Sequence, residues 1–282
     1  MDEFVNRVAV ITGAASGIGR ALAEQCAQEQ MQVVLADVEV AVLEEVEDTL
    51  RARGATVLAV PTDVSNGESV ANLAEQTFRQ FGAVHLLCNN AGVAVGGPIW
   101  EATVADWEWV LGVNLWGVVH GIRSFVPRML AQVEPGRVIN TASTGGLLSA
   151  VAYMGIYQST KAAVVAISEA LFQELAMESA PVSVSVLCPG EVVSDIYNRP
   201  REPGDHAKLS EDEMAVHGMV ADMVARGMSA SEYARRVLEG IEADKFWIIT
   251  HDELKPMLQL RPQSIVAGTN PPTLTEAMEH QG

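Results

Sequence analysis

Basic residues are scarce in this chain, and long apolar runs are absent. Its 282 residues include 18 Lys and Arg against 36 Asp and Glu, which gives a formal net charge of −18. Because so negative a chain repels phosphate backbones and anionic headgroups, we expect neither nucleic acid nor a membrane as a partner. No apolar run reaches the roughly 20 residues of a membrane-spanning helix. The first residues also lack the basic and apolar layout of a signal peptide.

Cysteine is rare as well. The three cysteines, Cys26, Cys88 and Cys188, each lie in an apolar segment and form no C-x-x-C motif. We therefore expect reduced core residues in a cytoplasmic protein. The six histidines are scattered and include no H-E-x-x-H motif, so we expect no metal site.

Short apolar segments alternate along the chain with stretches of helical composition. The predicted strands cover residues 7–12, 32–37, 56–61, 84–89, 136–142, 181–188 and 245–250. The predicted helices cover residues 20–30, 39–53, 68–81, 103–129, 157–179 and 229–243. Such alternation predicts right-handed β-α-β units and a mostly parallel sheet with helices on both faces.

The same pattern predicts the domain organisation. No linker breaks the alternation, so residues 1–250 are predicted to form a single domain. Residues 191–228 are rich in Met, Glu and Asp and carry no strand pattern. They are predicted to form a helical insertion over the site. Residues 251–282, which are Pro-rich near their end, are predicted to be an extended C-terminal tail.

A glycine cluster, G-A-A-S-G-I-G at residues 13–19, follows the first predicted strand and precedes the first predicted helix. Strand, loop and helix together form a cradle for a nucleotide. Small residues admit a pyrophosphate, and the helix N-terminus offers free N–H groups. The spacing differs from the G-x-G-x-x-G of the general dinucleotide fingerprint, and a tight turn without a ligand is the alternative interpretation.

Asp37 ends the second predicted strand. An acid at this position can bond the two ribose hydroxyls of an adenosine, and it repels a 2′-phosphate. The position therefore favours NAD over NADP. An Asp that caps the next helix is the alternative, and both roles can coexist.

Three further residues suggest chemistry. Tyr157 and Lys161 lie four apart on a predicted helix and so share one face. A cation beside a phenol lowers the phenol pKa toward the range of an acid/base catalyst, although a surface pair of these residues is common. Asn114, a polar amide in an apolar stretch, needs hydrogen-bond partners. It is either a structural residue or one that holds a water.

In their order along the chain, these motifs resemble the short-chain dehydrogenase/reductase family over roughly residues 5–250. The matching residues are 12–19, Asp63 with Val64, the N-N-A-G of 89–92, Asn114, Ser143, Tyr157 with Lys161, and Pro189 with Gly190. The resemblance implies an α/β fold, a Rossmann-type doubly wound domain. Its parallel seven-stranded sheet would have helices on both faces and the strand order 3-2-1-4-5-6-7.

The resemblance also implies the catalytic roles. Tyr157 would be the general acid/base that exchanges a proton between an alcohol and a ketone. Lys161 would lower the pKa of Tyr157 and bond the nicotinamide ribose. Ser143 would hydrogen-bond the substrate oxygen, and Asn114 would hold a water in a proton relay. The interval from Ser143 to Tyr157 is one residue longer than is usual in the family, and an extra loop residue within 147–156 would absorb it.

The family's cofactor contacts carry over to positions in this sequence. The cofactor-binding residues implied are Gly13, Ser16, Gly17, Ile18, Gly19, Asp37, Asp63, Val64, Asn90, Ala91, Gly92, Tyr157, Lys161, Pro189, Gly190, Val192 and Ser194. Ser194 stands where family members usually have Thr. Its hydroxyl is retained, so we expect little effect.

The substrate site is expected between segments 93–100, 144–156 and 191–228. Their apolar side chains favour a bulky apolar secondary alcohol or its ketone over a sugar or an acid. The predicted substrate-binding residues are Ser143, Val95, Leu148, Tyr153 and Tyr157. The predicted helix 157–179 is apolar on more than one face. With the resemblance, this predicts a homo-oligomer, a dimer or a tetramer, which light scattering would check.

Two alternatives remain beside an NAD-dependent alcohol dehydrogenase or carbonyl reductase. One is an NADP-linked biosynthetic ketoreductase of the 3-oxoacyl reductase type, against which Asp37 and the insertion at 191–228 argue. The other is a non-catalytic nucleotide-sensing protein of the same fold. Such proteins usually lose the catalytic Tyr, Lys or Ser, whereas Tyr157, Lys161 and Ser143 are all present here.

Overall fold

A parallel sheet of seven strands, in the order β3-β2-β1-β4-β5-β6-β7, forms the centre of the molecule. The computed structural model describes residues 4–132, 134–149, 151–197, 211–273 and 276. The strands are β1 Val8–Thr12, β2 Gln32–Asp37, β3 Val57–Pro61, β4 Leu86–Asn89, β5 Gly136–Thr141, β6 Val182–Leu187 and β7 Trp247–Ile248. All neighbouring strands pair in parallel. The predicted fold class and strand order are confirmed.

Helices cover both faces of this sheet, which is why the central strands are apolar throughout. The helices are α1 Gly17–Gln28, α2 Val40–Ala52, α3 Gly67–Phe81, α4 Val104–Leu111, α5 Gly117–Ala131, α6 Gly155–Met177, α7 Glu211–Ala225, α8 Ala230–Glu242, α9 Lys255–Leu258 and α10 Leu260–Ala267. Side chains of α1, α2 and α8 share one hydrophobic core with the sheet. Side chains of α3, α5 and α6 share another. Every residue of β1 is buried between the two layers.

The single helix predicted over residues 103–129 is interrupted. It begins as predicted, because Thr103 and Asp106 form a capping box at the start of α4. A π-helical turn, Gly112–Trp116, then separates α4 from α5. Such a turn holds one residue more than an α-helical turn, and it is typical of functional sites. The unbroken apolar pattern of this segment does not reveal the extra residue.

The prediction of an extended tail after residue 250 is wrong for its first part. A 3-10 turn, Asp252–Leu254, leads into α9 and α10. Leu254 and Met257 are 5% exposed, so their burial holds this segment on the domain. Pro256 sits in the first turn of α9, where its missing N–H costs nothing. Pro256 is therefore compatible with a helix start, whereas Pro271 and Pro272, near the end of the segment, lie after α10.

The predicted insertion at 191–228 contains α7, and its residues 198–210 lie outside the described residues. Cys26, Cys88 and Cys188 are free and buried, as predicted. Burial raises the pKa of the Cys26 and Cys188 thiols to about 12, so both are protonated at neutral pH. Within the described ranges, no helix is both long and apolar enough to cross a membrane.

Candidate active site

A cleft opens at the carboxyl ends of the strands, where the chain leaves β1 and β4 in opposite directions along the sheet. Open parallel sheets bind ligands at such a switch point. Every predicted cofactor-binding residue lines the cleft except Gly190 and Val192. Val192 is buried and pairs with Met228 instead. Residues outside the predicted cofactor set also line the cleft. Val93, Asp195 and Ile196 belong to segments predicted to wall the substrate site. The residues that were not predicted are Val38, Glu39, Thr62, Trp109, Val113, Thr141 and Ala142.

The glycine loop packs so closely that side chains would not fit. A Cβ on Gly19 would lie 2.0 Å from the carbonyl oxygen of Gly13, and a Cβ on Gly13 would lie 2.9 Å from the Cα of Ala91. Gly13 and Gly17 also have positive φ angles of 69° and 53°, which disfavour other residues. The loop therefore leaves backbone N–H groups at the start of α1 open to an anionic ligand.

Hydrogen bonds tie this loop to the residues that follow β4. Thr12 accepts the N–H groups of Asn90 and Ala91 on its Oγ1, at 2.9 and 3.0 Å. The Asn90 side-chain amide donates to the carbonyl of Thr12 at 3.0 Å. The N-N-A-G segment thus forms the second wall of the cleft and is held in register with the first.

Asp37 lies at the end of β2 and is 4% exposed. Its carboxylate accepts the N–H of Ala15 in the glycine loop at 3.0 Å and the N–H of Glu39 at 3.2 Å. Glu39 immediately precedes α2. Asp37 therefore orders the glycine loop and the start of α2 together, in addition to facing the cleft.

The Tyr157 and Lys161 side chains lie one turn apart near the start of α6, and both are buried, with 8% and 3% exposure. The Lys161 Nζ lies 5.7 Å from the centre of the Tyr157 ring and donates to the carbonyl of Thr141 at 2.9 Å. The Ser143 hydroxyl hydrogen-bonds Tyr157. Strand β5 and helix α6 thus bring Ser143, Tyr157 and Lys161 together.

The pKa of Tyr157 shifts in the direction opposite to the predicted one. Burial raises the pKa of Tyr157, and the hydrogen bond from Ser143 opposes only part of that effect. Burial lowers the pKa of Lys161 to about 8. The prediction that the Lys161 ammonium lowers the pKa of Tyr157 does not hold here. The low-dielectric surroundings disfavour both charged forms, and Nζ faces the ring at a distance.

Protein partners take both N–H groups and one acceptor site of the buried Asn114 side chain. Its Oδ1 accepts the N–H of Val93 at 2.8 Å. Its Nδ2 donates to the Val93 carbonyl at 2.9 Å and to the Thr160 hydroxyl at 3.1 Å. The amide thus joins the π-helical turn to the cleft wall and to α6. This geometry favours the structural interpretation of the Asn114 side chain, and the water relay stays a prediction.

The predicted substrate residues differ in their positions. Val95 is 5% exposed and packs with Val93, Val110 and Ile156. Tyr157 lines the cleft, whereas Ser143, Val95, Leu148 and Tyr153 do not, so contact of these residues with substrate stays a prediction.

Tyr197 was not predicted. Its ring centre lies 6.5 Å from that of Tyr157, and burial raises its pKa. No spacing rule within segment 191–228 singles it out, because the chain there carries no regular pattern.

Comparison with known families decides the identity. The family model described as short chain dehydrogenase matches residues 7–203. This chain belongs to the short-chain dehydrogenase family. The predicted family membership is confirmed, and with it the class of oxidoreductases.

Two relatives match this dehydrogenase over nearly its whole length. It is 32% identical over 278 residues to "CLA biosynthesis dehydrogenase/reductase" of Lactiplantibacillus plantarum, covering 96% of this chain and 97% of the relative. It is 36% identical over 262 residues to "1-deoxy-11-beta-hydroxypentalenate dehydrogenase" of Streptomyces exfoliatus, covering 91% and 86%.

Among solved structures, a short chain dehydrogenase/reductase from Burkholderia phymatum in complex with NAD is 44% identical to this dehydrogenase. Its TM-score is 0.93, and the match covers 96% of this chain and 98% of that one. The likeness therefore extends to the helices after β7 as well as to the sheet.

Proposed function

We propose that this dehydrogenase interconverts a bulky apolar secondary alcohol and its ketone, with NAD as cofactor and Tyr157 as general acid/base. One observation carries the proposal. The Tyr157 phenol, hydrogen-bonded to Ser143 and one turn from Lys161, lies in the same cleft as the glycine loop. A cradle for a dinucleotide thus opens directly onto a proton donor.

The residues fit NAD. The glycine loop leaves a cradle that a single Cβ would fill, and the α1 N-terminus suits a pyrophosphate. When bound, NAD would supply a hydride acceptor for the alcohol carbon, and NADH a hydride donor for the ketone carbon. Lys161 is the only basic residue among the described residues that line the cleft, whereas Asp37 and Glu39 stand at the end of β2. The 2′-phosphate of NADP would lie beside these two carboxylates, with no basic side chain among the described lining residues at that end of the cleft.

In the proposed reaction, side chains of the protein hold a proton and transfer it. Tyr157 takes the proton from an alcohol hydroxyl or gives it to a ketone oxygen, and the Ser143 hydroxyl donates to the same oxygen as its charge develops. Trp109, Val113 and Ile196 line the cleft, and Tyr197 stands beside Tyr157. Their apolar surfaces favour a bulky substrate. The Streptomyces exfoliatus relative is named for a hydroxylated compound, which supports an alcohol as the group oxidised.

The cofactor preference is tested by nicotinamide absorbance with a panel of apolar secondary alcohols and ketones. We expect kcat/KM with NAD(H) to exceed that with NADP(H) by at least about tenfold, because a like-charge contact costs more than about 1.4 kcal/mol. Asp37→Asn should narrow the ratio, since it removes the charge and keeps an acceptor for the Ala15 N–H. A preference for NADP(H) in the wild type would favour the ketoreductase of the 3-oxoacyl type. Tight NADH binding without turnover of any panel member would favour the nucleotide sensor.

The pH profiles of the two directions should be opposite. Burial raises the pKa of Tyr157 and lowers that of Lys161 to about 8, so below that pH the pair holds both protons. Lys161 therefore loses its proton first, near pH 8, while Tyr157 keeps its proton and can still give it to a ketone. Because oxidation needs the phenolate and reduction needs the phenol, we expect kcat/KM for alcohol oxidation to rise with pH toward the raised pKa of Tyr157 and that for ketone reduction to fall there. Parallel profiles in both directions would contradict this assignment.

A further inference from the structure

The turn after β6 is fixed by a histidine from the C-terminal segment. His251 is 3% exposed. The N–H of Gly190 donates to His251 Nδ1 at 3.2 Å. The His251 Nε2 lies 3.1 Å from the carbonyl oxygen of Glu191, and the Thr250 hydroxyl lies 3.0 Å from Nδ1. One imidazole therefore bridges the N–H of Gly190 and the carbonyl of Glu191, two consecutive residues of the turn.

These partners specify the tautomer of the ring. The carbonyl of Glu191 can only accept, so Nε2 carries the hydrogen. The N–H of Gly190 can only donate, so Nδ1 is bare and also accepts from the Thr250 hydroxyl. The His251 ring therefore has a single favourable orientation, because flipping it by 180° would place a ring C–H against both the Gly190 N–H and the Glu191 carbonyl, and both hydrogen bonds would be lost.

The turn has little freedom to relax around this ring. A Cβ on Gly190 would lie 2.7 Å from the Leu254 side chain and 2.9 Å from the His251 ring. The Glu191 carbonyl also accepts the N–H of Met228 at 2.9 Å. Met228, the last residue of the insertion, and His251, from the C-terminal segment, thus both hold this turn. His251 is the only described side chain that hydrogen-bonds both the N–H of Gly190 and the carbonyl of Glu191.

The turn itself adjoins the catalytic residues. Pro189 lines the cleft, and its carbonyl accepts hydrogen bonds from the N–H of Thr144, at 2.9 Å, and from the Thr144 hydroxyl, at 3.1 Å. The Ser143 hydroxyl also approaches that carbonyl, at 3.5 Å. A displacement of residues 189–191 would therefore change the end of the cleft next to Ser143, far from the adenosine end at Asp37.

We propose that His251 is a positioning residue for the nicotinamide end of the cofactor. It acts by holding the Pro189–Gly190–Glu191 turn at one depth in the cleft and makes no contact with the adenosine end. The proposal rests on the proposed function, since it takes the catalytic end of the cleft as the nicotinamide site. It also gives the C-terminal segment a role in the active site.

Binding of two probes separates this role from a general structural one. NADH contains the nicotinamide, whereas ADP-ribose keeps the adenosine, the pyrophosphate and the second ribose and lacks only the nicotinamide. For His251→Leu, which keeps the apolar bulk, we expect NADH affinity to fall about tenfold because two hydrogen bonds are lost, and ADP-ribose affinity to change less than about twofold. His251→Gln, which has one donor and one acceptor, should recover most of the NADH affinity. Calorimetry or quenching of protein fluorescence measures both constants.

A control variant shows whether any change in the same segment also alters cofactor binding. Lys255→Ala removes the ion pair with Asp252, which is 2.5 Å long, without touching the turn, and it should change neither affinity. Equal losses for NADH and ADP-ribose in His251→Leu, or no loss for either, would overturn the positioning role and leave the proposed function intact. A wild-type protein that binds neither probe would overturn the proposed function and this inference together.

Discussion

Replacing Tyr157 with Phe should lower kcat by about 10²- to 10⁴-fold in both directions, the usual contribution of a positioned acid/base. The substitution removes the hydroxyl that hydrogen-bonds Ser143 and leaves the ring. Because Tyr157 is 8% exposed and Phe fills nearly the same volume, the cleft should keep its shape. Steady-state rates with the best alcohol and the best ketone of the panel measure the effect.

NADH affinity and a control variant show whether the loss of kcat comes from the missing acid/base group. NADH affinity should change little, because the glycine loop is untouched by the substitution. Tyr233→Phe is the matched control. The Tyr233 hydroxyl is buried and has no hydrogen-bond partner among the described residues, so its removal should leave kcat unchanged and not lower stability. If Tyr157→Phe kept more than about a tenth of the wild-type kcat, Tyr157 would not be the acid/base group.

Local patterns in the sequence predict most of this site. The glycine loop depends on residues that are close in the chain, and so does the pairing of Tyr157 with Lys161, whereas the strand order was implied by the family resemblance. Residues 8–19 combine a buried strand, small residues and a helix start, and each of these can be recognised from neighbouring residues alone. The predicted cofactor residues therefore meet in one cleft with two exceptions.

The sequence does not predict features that depend on contacts between distant segments. His251 meets Gly190 across 61 residues. Leu254 and Met257 stabilise the segment after β7 only because they are buried against the rest of the domain. The π-helical turn around Asn114 depends on bonds to Val93 and Thr160, which lie 21 and 46 residues away. The pKa of Tyr157 likewise depends on burial, which a spacing of four residues on a helix does not reveal.

Gly19→Ala should have the second large effect, and it acts on the cofactor cradle rather than on the chemistry. The new Cβ would lie 2.0 Å from the Gly13 carbonyl oxygen and 2.6 Å from the Asn90 side-chain amide. The Gly13 carbonyl belongs to the backbone, so relief requires moving the loop away from α1. We expect about a hundredfold loss of NADH affinity, equivalent to about 2.7 kcal/mol, and a loss of stability of about 1–3 kcal/mol from overpacking.

Gly218→Ala provides the matched control for this substitution, because it makes the same change inside a helix. Gly218 lies in α7, and a Cβ there would meet nothing within 4 Å. Helix propensity alone should then stabilise the protein by up to about 1 kcal/mol, with NADH affinity unchanged. Direct NADH titration and thermal unfolding of both variants separate the two effects. If Gly19→Ala bound NADH as the wild type does, close packing of the loop would not be what shapes the cradle. The cofactor would then have to be held chiefly by the second wall, at Asn90 and Ala91.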